Sequence, residues 1–250
     1  ISLRVTSNMD KTVLITGGTK GIGKAVACVF AKNRYSPILT YSSDDKTAEE
    51  CAEEIKSSYG VEVSVLRADS TEKQSIDVID SYLRTSGKQL DTVVFNAAVT
   101  LRTSFEETTF EQWDRVFYAN VHFPVFLLQK IVRHIVQGGN IIFTGSLMGI
   151  QPHGTSLSYG VTKSATHALV KNLVKFMQPY KIRVNGVAPG FVDTDWQKTK
   201  PAEIRRNIEN KIAAERFCLP AEVADVYLML ARNRYFNGEI VKIDGGYSYK

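Results

Sequence analysis

Short apolar and β-branched runs alternate with longer amphipathic stretches along almost the whole chain. The short runs lie at about residues 12–16, 36–41, 61–67, 91–95, 139–145, 181–187 and 239–243. Strands separated by helical stretches predict a parallel sheet that helices cover on both faces. The continuously apolar triplets 93–95 and 141–143 are typical of buried strands in such a sheet. The pattern therefore predicts an α/β Rossmann fold, a doubly wound parallel sheet of about seven strands.

The predicted elements leave no room for a second domain. The 250 residues are 44% apolar, and no linker, repeat or low-complexity tract divides them. Residues 1–8 precede Met9 and carry no signal-peptide core, so we predict a vector remnant or a disordered extension there. Residues 9–250 are then one nucleotide-binding domain that includes the substrate pocket.

Composition narrows the class of protein further. No apolar stretch approaches the roughly 20 residues that span a bilayer, and Cys28, Cys51 and Cys218 have neither an even count nor metal-ligand spacing. We expect a cytoplasmic protein with reduced thiols, no bound metal and no membrane partner. The net charge is +5, but basic residues alternate with acidic ones, as in 203–211, which indicates a solvated helix face. No nucleic-acid-binding motif is present, so no nucleic-acid partner is expected.

A glycine-rich turn follows the first predicted strand. The run 12–16 leads into Gly17, Gly21 and Gly23, and residues 24–31 have a helical pattern. A strand, a glycine turn and a helix together aim backbone N–H groups and a helix N-terminus at a pyrophosphate. A glycine turn alone can be only a turn, but its place at the first strand-to-helix junction favours a dinucleotide site.

Tyr159 and Lys163 are the most informative pair in the chain. At i,i+4 spacing they share one helix face, so the ammonium is expected to favour the ionised phenol, whose ordinary pKa is about 10. Ser146 lies thirteen residues upstream. The spacing alone is also that of an ordinary surface pair, and the other motifs decide between the two interpretations.

With these motifs in view, residues 11–247 resemble the short-chain dehydrogenase/reductase family, and most of all its 3-oxoacyl-acyl-carrier-protein reductases. Thr16–Gly23 matches the family's Thr-Gly-x-x-x-Gly-x-Gly, and Pro189–Thr194 matches Pro-Gly-x-x-x-Thr. Asp69 matches the aspartate that contacts adenine. Asn96–Val99 takes the place of Asn-Asn-Ala-Gly, with Ala97 and Val99 as departures that affect the local turn and pocket wall.

The resemblance implies a role for each matched residue. The expected catalytic residues are Asn120, Ser146, Tyr159 and Lys163. Ser146 and Tyr159 would hydrogen-bond the substrate carbonyl, Lys163 would lower the phenol pKa and bind the nicotinamide ribose, and Asn120 would hold a water. The expected cofactor-binding residues are Gly17, Thr19, Lys20, Gly21, Ile22, Gly23, Tyr41, Ser42, Ser43, Asp69, Asn96, Ala97, Tyr159, Lys163, Pro189, Gly190, Val192 and Thr194.

The end of the second predicted strand bears on the choice of cofactor. Tyr41 stands where an NAD-selecting acid is expected. Lys20, Ser42 and Ser43 could instead bind a 2′-phosphate, which favours NADP(H) over NAD(H). Asp44 or Asp45 would reverse this preference by reaching the ribose, although Asp45 is equally suited to N-cap a helix at 46–58.

The substrate is less defined by the sequence than the cofactor. The candidate pocket residues are mostly apolar: Val99, Leu101, Leu147, Met148, Gln151, His153, Phe191, Val192 and Trp196. We expect a small-molecule ketone or alcohol, including a 3-oxoacyl thioester. The alternatives are an NAD(H)-dependent sugar, steroid or polyol dehydrogenase and, from another class, a non-catalytic nucleotide-binding protein. The intact set of four catalytic residues favours an enzyme.

Two long helices, predicted at about 110–136 and 159–177, carry more apolar residues than one core-facing stripe needs. Pro124 would disturb the first of them, so an irregular backbone is expected near Asn120. The resemblance implies that these helices form a four-helix interface and that the last strand forms a second one. We therefore expect a homotetramer, with a dimer as the alternative.

Overall fold

The computed structural model describes residues 11–152 and 154–250. The expectations for residues 1–8 and for His153 lie outside the described residues.

Seven parallel strands form one sheet in the order β3-β2-β1-β4-β5-β6-β7. The predicted number and direction of strands are confirmed. The order reverses between β1 and β4, and ligands of such folds bind at the carboxyl ends of the strands flanking that point. The strands are β1 Lys11–Ile15, β2 Tyr35–Tyr41, β3 Ser64–Arg67, β4 Leu90–Phe95, β5 Ile135–Thr144, β6 Arg183–Pro189 and β7 Ile240–Ile243.

Helices cover both faces of this sheet, as the apolar pattern predicts. One buried cluster joins the sheet to α3, α5 and α6, and the other joins it to α1, α2 and α9. The helix bounds are α1 Gly21–Lys32, α2 Asp45–Tyr59, α3 Gln74–Ser86, α4 Phe110–Phe117, α5 Phe123–Ile131, α6 Leu157–Met177, α7 Asp195–Lys198, α8 Ala202–Glu209 and α9 Pro220–Arg232. α8 buries no residue, as expected for the stretch 203–211.

The helix predicted at 110–136 is divided in three. A π-helical turn, Tyr118–His122, separates α4 from α5. Pro124 lies in the first turn of α5, where its missing N–H loses no helical partner. The expected irregularity near Asn120 is confirmed. The predicted end was wrong, because a 3₁₀ turn follows Ile131 and Ile135 already pairs with Leu90 of β4.

Two helix starts also differ from the sequence prediction. α1 begins at Gly21 and not at Lys24, since the glycine turn runs directly into the helix. The N-cap of α2 is Asp44 and not Asp45: its carboxylate accepts the Thr47 N–H at 3.1 Å. The cap is therefore one residue earlier than predicted, and Asp45 is the first helical residue.

Candidate active site

A cavity of about 530 Å³ opens at the carboxyl ends of the strands. It brings together residues that are far apart in sequence, from the glycine turn to α6 and the segment after β6. The predicted site residues that line it are Gly17, Lys20, Gly21, Ile22, Tyr41, Ser42, Asp69, Asn96, Ala97, Val99, Tyr159, Lys163, Thr194 and Trp196. Lining residues that the sequence did not single out are Thr40, Ala68, Ser70, Thr71, Ala98, Arg115, Thr144 and Asp195.

The glycine turn is held tightly against the end of β4. The Asn96 side-chain amide donates to the carbonyls of Thr16 and Gly17, each at 3.1 Å. Gly17 has a φ of +61°, and a Cβ on Gly23 would lie 2.1 Å from the Gly17 carbonyl oxygen. Only glycine fits there without displacing the turn. Gly23 and Thr19 are buried within the turn and do not line the cavity.

The N-terminus of α1 lies at the cavity, which Lys20, Gly21 and Ile22 line. Lys20, the N-cap, makes no side-chain cap hydrogen bond, and the first turn of the helix contains no acidic residue. Backbone N–H groups left without side-chain acceptors, at the positive end of a twelve-residue helix, form an anion site. These residues therefore fit the pyrophosphate of a dinucleotide.

The residues predicted to contact the adenosine of the cofactor lie together in the cavity lining. Asp69 is oriented by Thr71, whose N–H and hydroxyl donate to its carboxylate at 2.8 and 2.9 Å. Tyr41 and Ser42 line the cavity at the end of β2, whereas Ser43 is exposed and does not line it.

Lys20 and Asp44 form an ion pair beside the predicted 2′-phosphate position, with Nζ and Oδ2 2.5 Å apart. The hydrogen bond from Lys20 lowers the pKa of Asp44 to about 2. Both carboxylate oxygens of Asp44 are thus in use, one on Lys20 and one on the Thr47 N–H. Asp45 lies 3.6 Å from Arg67 of β3 and contributes to raising the pKa of Tyr41, for which desolvation is the larger cause.

Lys163 is almost fully buried at the catalytic end. Its ammonium donates to the Thr144 carbonyl at 2.6 Å and lies 5.4 Å from the centre of the Tyr159 ring. Burial lowers the pKa of Lys163 to about 8. The i,i+4 spacing does place the pair on one face of α6, as predicted.

The pKa of Tyr159 is raised, whereas the sequence predicted that it would be lowered. Desolvation raises it to about 12, and the hydrogen bond with Ser146, which alone would lower it, does not compensate. The Ser146 Oγ also accepts the Met148 N–H at 3.1 Å. The expectation failed because burial of the phenol is the largest influence on its pKa, and the Lys163 ammonium is bound to the Thr144 carbonyl. The phenol therefore holds its proton at neutral pH.

Asn120 lies in the π-helical turn and ties three segments together. Its Oδ1 accepts the Val99 N–H at 2.8 Å, and its Nδ2 donates to the Val99 carbonyl at 2.9 Å and to the Thr162 hydroxyl at 3.0 Å. The departure at Val99 leaves this backbone pairing intact. The role of Asn120 in holding a water stays a prediction.

His167 is a site residue that the sequence reasoning missed. Its Nε2 accepts the Ser146 N–H at 3.3 Å, and it also hydrogen-bonds the backbone of Gly149. Gly145 makes room for it, since a Cβ there would lie 2.1 Å from Nε2. The signal was its position four residues after Lys163, on the same buried face of α6.

The stability of the protein is expected to fall in acid because of His167. Burial lowers its pKa to about 4, against about 6.5 in the unfolded chain. The neutral ring therefore contributes fully above pH 6.5, and roughly 3 kcal/mol is lost as the pH falls from 6.5 to 4. Urea unfolding across this range measures the loss.

His167→Gln is the matched control, since an amide can accept and donate at similar places without titrating. The variant should lose less stability than the wild type between pH 6.5 and 4. Equal losses in the two proteins would assign the acid sensitivity to other groups.

The remaining predicted residues lie around the cavity or away from it. Phe191 packs against the rings of Phe217 and Tyr247, at 6.0 and 5.3 Å between centroids. Trp196 meets Tyr159 edge to face at 6.3 Å. Leu101 lines a second cavity, of about 460 Å³. Six further predicted residues do not line the first cavity. Three of them are buried: Leu147, Pro189 and Val192. Gly190 packs against Asp244, and Met148 and Gln151 are partly exposed.

The chain matches a family model described as enoyl-(acyl carrier protein) reductase over residues 17–248. It is 34% identical to tropinone reductase-like 3 of Erythroxylum coca, over 94% of this chain and 92% of that protein. This chain belongs to the short-chain dehydrogenase/reductase family. It is a nicotinamide-dependent oxidoreductase, the activity class of that family.

Two further relatives place this short-chain dehydrogenase/reductase within the family. It is 30% identical to the 3-oxoacyl-[acyl-carrier-protein] reductase of Aquifex aeolicus, over 94% of this chain and 96% of that one. The structure is similar, with a TM-score of 0.89 at 27% identity, to L-sorbose reductase of Gluconobacter frateurii complexed with NADPH and L-sorbose, covering 97% of this chain and 100% of that one. Among the described residues, no helix is long and apolar enough to cross a membrane.

Proposed function

We propose that this protein reduces a ketone to a secondary alcohol with NADPH as the hydride donor. The observation that carries the proposal is that Tyr159 and Lys163 line the same cavity as the glycine turn, with Ser146 hydrogen-bonded to Tyr159 behind the cavity lining. This arrangement has a proton donor, an oxyanion partner and a cation beside a place for a dinucleotide.

Each residue has a task that its geometry supports. Bound NADPH would supply the hydride. Ser146 and Tyr159 would donate hydrogen bonds to the substrate carbonyl, and the phenol, which holds its proton at neutral pH, would pass that proton to the forming alkoxide. Lys163 would stabilise the resulting phenolate and bind the nicotinamide ribose. Asn120 braces Val99 against α6 and so keeps the wall of the site in place.

The test is a panel of ketones screened by loss of reduced-nicotinamide absorbance, with NADPH and NADH in turn. A 3-oxoacyl thioester, a hexulose, a steroid ketone and a bicyclic amino ketone cover the substrate classes of the relatives and the alternatives. Turnover of any one with NADPH supports the proposal. Turnover only with NADH would favour an NAD(H)-dependent sugar, steroid or polyol dehydrogenase, and tight nucleotide binding without turnover would favour a non-catalytic protein.

The cofactor preference is expected to depend on the ion pair between Lys20 and Asp44. A 2′-phosphate would take the place of the Asp44 carboxylate on Lys20. Lys20→Ala should therefore weaken the binding of NADPH by about 1.5–3 kcal/mol and leave the binding of NADH almost unchanged. The measurement is kcat/KM for each cofactor.

Asp44→Asn is the matched variant in the opposite direction. Asparagine caps a helix as well as aspartate does, so α2 should persist while Lys20 is released. NADPH should then bind more tightly than in the wild type. Equal effects of Lys20→Ala on both cofactors would show that Lys20 serves the turn and not the phosphate.

We also infer a homotetramer, with a dimer as the alternative. Apolar side chains lie exposed on α4–α6, on the helices for which an interface is expected: Phe110, Phe126, Leu157, Val161 and Phe176. An exposed apolar set of this extent usually meets a partner. Light scattering at micromolar concentration measures the assembly, and a mass near the 27.9 kDa of one chain would contradict it.

The free thiols of Cys28, Cys51 and Cys218 support a reducing, cytoplasmic location.

A further inference from the structure

Cations that lack acidic partners lie beside Trp196 and along the wall of the catalytic cavity. Arg102, in the segment after β4, lies with its guanidinium carbon 6.0 Å from the centre of the Trp196 ring. Trp196 lines the cavity and contacts Tyr159. Arg102 is therefore one aromatic ring away from the proton donor.

Lys200, just after α7, belongs to the same group. Its pKa is lowered by burial first and by repulsion from Arg102 second, so the two cations lie close enough to interact. Arg115 of α4 is a third cation at this cavity, where it lines the wall.

Nearby carboxylates do not neutralise these cations. Asp195 pairs with Lys198 at 3.2 Å, and Asp193 pairs with Arg205 at 3.0 Å. Within the part of the chain that the structure describes, no carboxylate forms an ion pair with Arg102, Arg115 or Lys200. Arg102 is also exposed, so an anion from solution can reach it.

We propose that Arg102, which Trp196 separates from Tyr159, and the neighbouring Lys200 bind an anionic group on the substrate, so that the preferred ketone carries a carboxylate or a phosphate. This inference rests on the proposed reductase function. Guanidinium and ammonium groups bind both anions, and the guanidinium does so with two parallel hydrogen bonds. The ring-to-ring distance of 6.3 Å and the 6.0 Å step to Arg102 leave room for a carbon chain between the carbonyl and the anion.

The positions of Trp196 and the two cations explain how the site would distinguish anionic from neutral ketones. The wall near Tyr159 is the Trp196 ring, which an apolar carbon chain can pack against. The charge lies beyond that ring, where a neutral ketone of the same length reaches only water. Discrimination should therefore appear mainly in KM, since the anion is held away from the reacting carbon.

The test compares matched ketones with NADPH in which a carbon chain separates the ketone from the charged group: 7-oxooctanoate against its methyl ester, and 7-oxooctyl phosphate against 8-hydroxyoctan-2-one. In at least one pair, we expect kcat/KM for the anionic ketone to be about 10- to 100-fold higher than for its neutral partner. One charge-assisted hydrogen bond contributes binding free energy of this size. The first pair reports a carboxylate and the second a phosphate, so the pairs separate the two sources of the anion.

The variant Arg102→Gln/Lys200→Gln should abolish that preference through KM and leave the neutral ketones within about threefold, the spread of ordinary surface changes. Lys198→Gln is the matched control, because it removes a neighbouring cation that is already paired with Asp195. Binding of the preferred anion, followed by tryptophan fluorescence without turnover, should weaken in the double variant and not in the control.

Two outcomes would overturn the inference while the proposed function stands: neutral ketones turned over as well as their anionic partners, or the double variant slowing both members equally. Failure of the whole ketone panel with NADPH would instead refute the reductase proposal. A thermal unfolding midpoint close to that of the wild type shows that the double variant is folded, and Arg102 is exposed enough to be replaced.

Discussion

Tyr159→Phe is expected to lower ketone turnover by about 10²- to 10⁴-fold, the contribution of a positioned proton donor. Phenylalanine fills the same space against Trp196 and keeps the ring. It removes the one hydroxyl that Ser146 hydrogen-bonds beside the cavity. NADPH binding should change little, since the glycine turn and Asp69 are untouched. Steady-state turnover and nicotinamide fluorescence titration measure the two properties separately.

The control is Tyr82→Phe. It removes a phenol that hydrogen-bonds the Ser64 hydroxyl at 2.6 Å, on α3 and outside the cavity lining. Turnover should be unaffected there. Near-normal turnover in Tyr159→Phe would remove Tyr159 from its role as acid and leave Ser146 as the candidate for carbonyl activation.

Gly23→Ala is expected to have the second largest effect, through the cofactor. The new methyl group would lie 2.1 Å from the Gly17 carbonyl oxygen and 2.8 Å from the Asn96 Nδ2. Relief of that overlap must separate α1 from the turn, which costs about 1–3 kcal/mol of folding free energy. The N–H groups that face the pyrophosphate would move with the helix, and NADPH affinity should fall about 10- to 100-fold, equivalent to about 1.4–2.8 kcal/mol.

Gly60→Ala separates this steric effect from the general cost of replacing a glycine. Gly60 caps α2 with a φ of +64° and has no atom within 4 Å of its Cβ position. Its replacement should destabilise the fold modestly, by backbone strain alone, and leave NADPH affinity unchanged. Similar losses of affinity in both variants would indicate that Gly23 has no special place in the turn.

The elements that the sequence predicted well are those with a local signal. The seven predicted apolar runs correspond to seven parallel strands. They could be recognised because the spacing of apolar residues within a short window distinguishes strands from helices. The glycine turn and the i,i+4 pair Tyr159 and Lys163 were recognisable for the same reason. The break near Asn120 followed from Pro124, whose effect on a helix is also local.

What the sequence could not supply depends on packing between distant segments. The pKa of Tyr159 is set by how far α6 and the Ser146 segment exclude water, which no spacing encodes. Arg115 reaches the cavity from a helix whose rotation is fixed only by the core. Phe191 looked like a pocket residue, yet it packs on Phe217 and Tyr247. The wall of the substrate site was accordingly the least predictable part.

The π-helical turn at Tyr118–His122 makes the chain sensitive to its exact length at this place. A π turn is an α-helix that holds one additional residue. Deleting Val121 would let α4 and α5 merge into a regular helix in which the flanking side chains keep their faces. Phe123 and Leu127 would therefore stay in the core, but the widened backbone that holds Asn120 against Val99 and Thr162 would be lost. A deletion here would therefore disturb the site and spare the core, whereas most substitutions at the exposed His122 would alter neither.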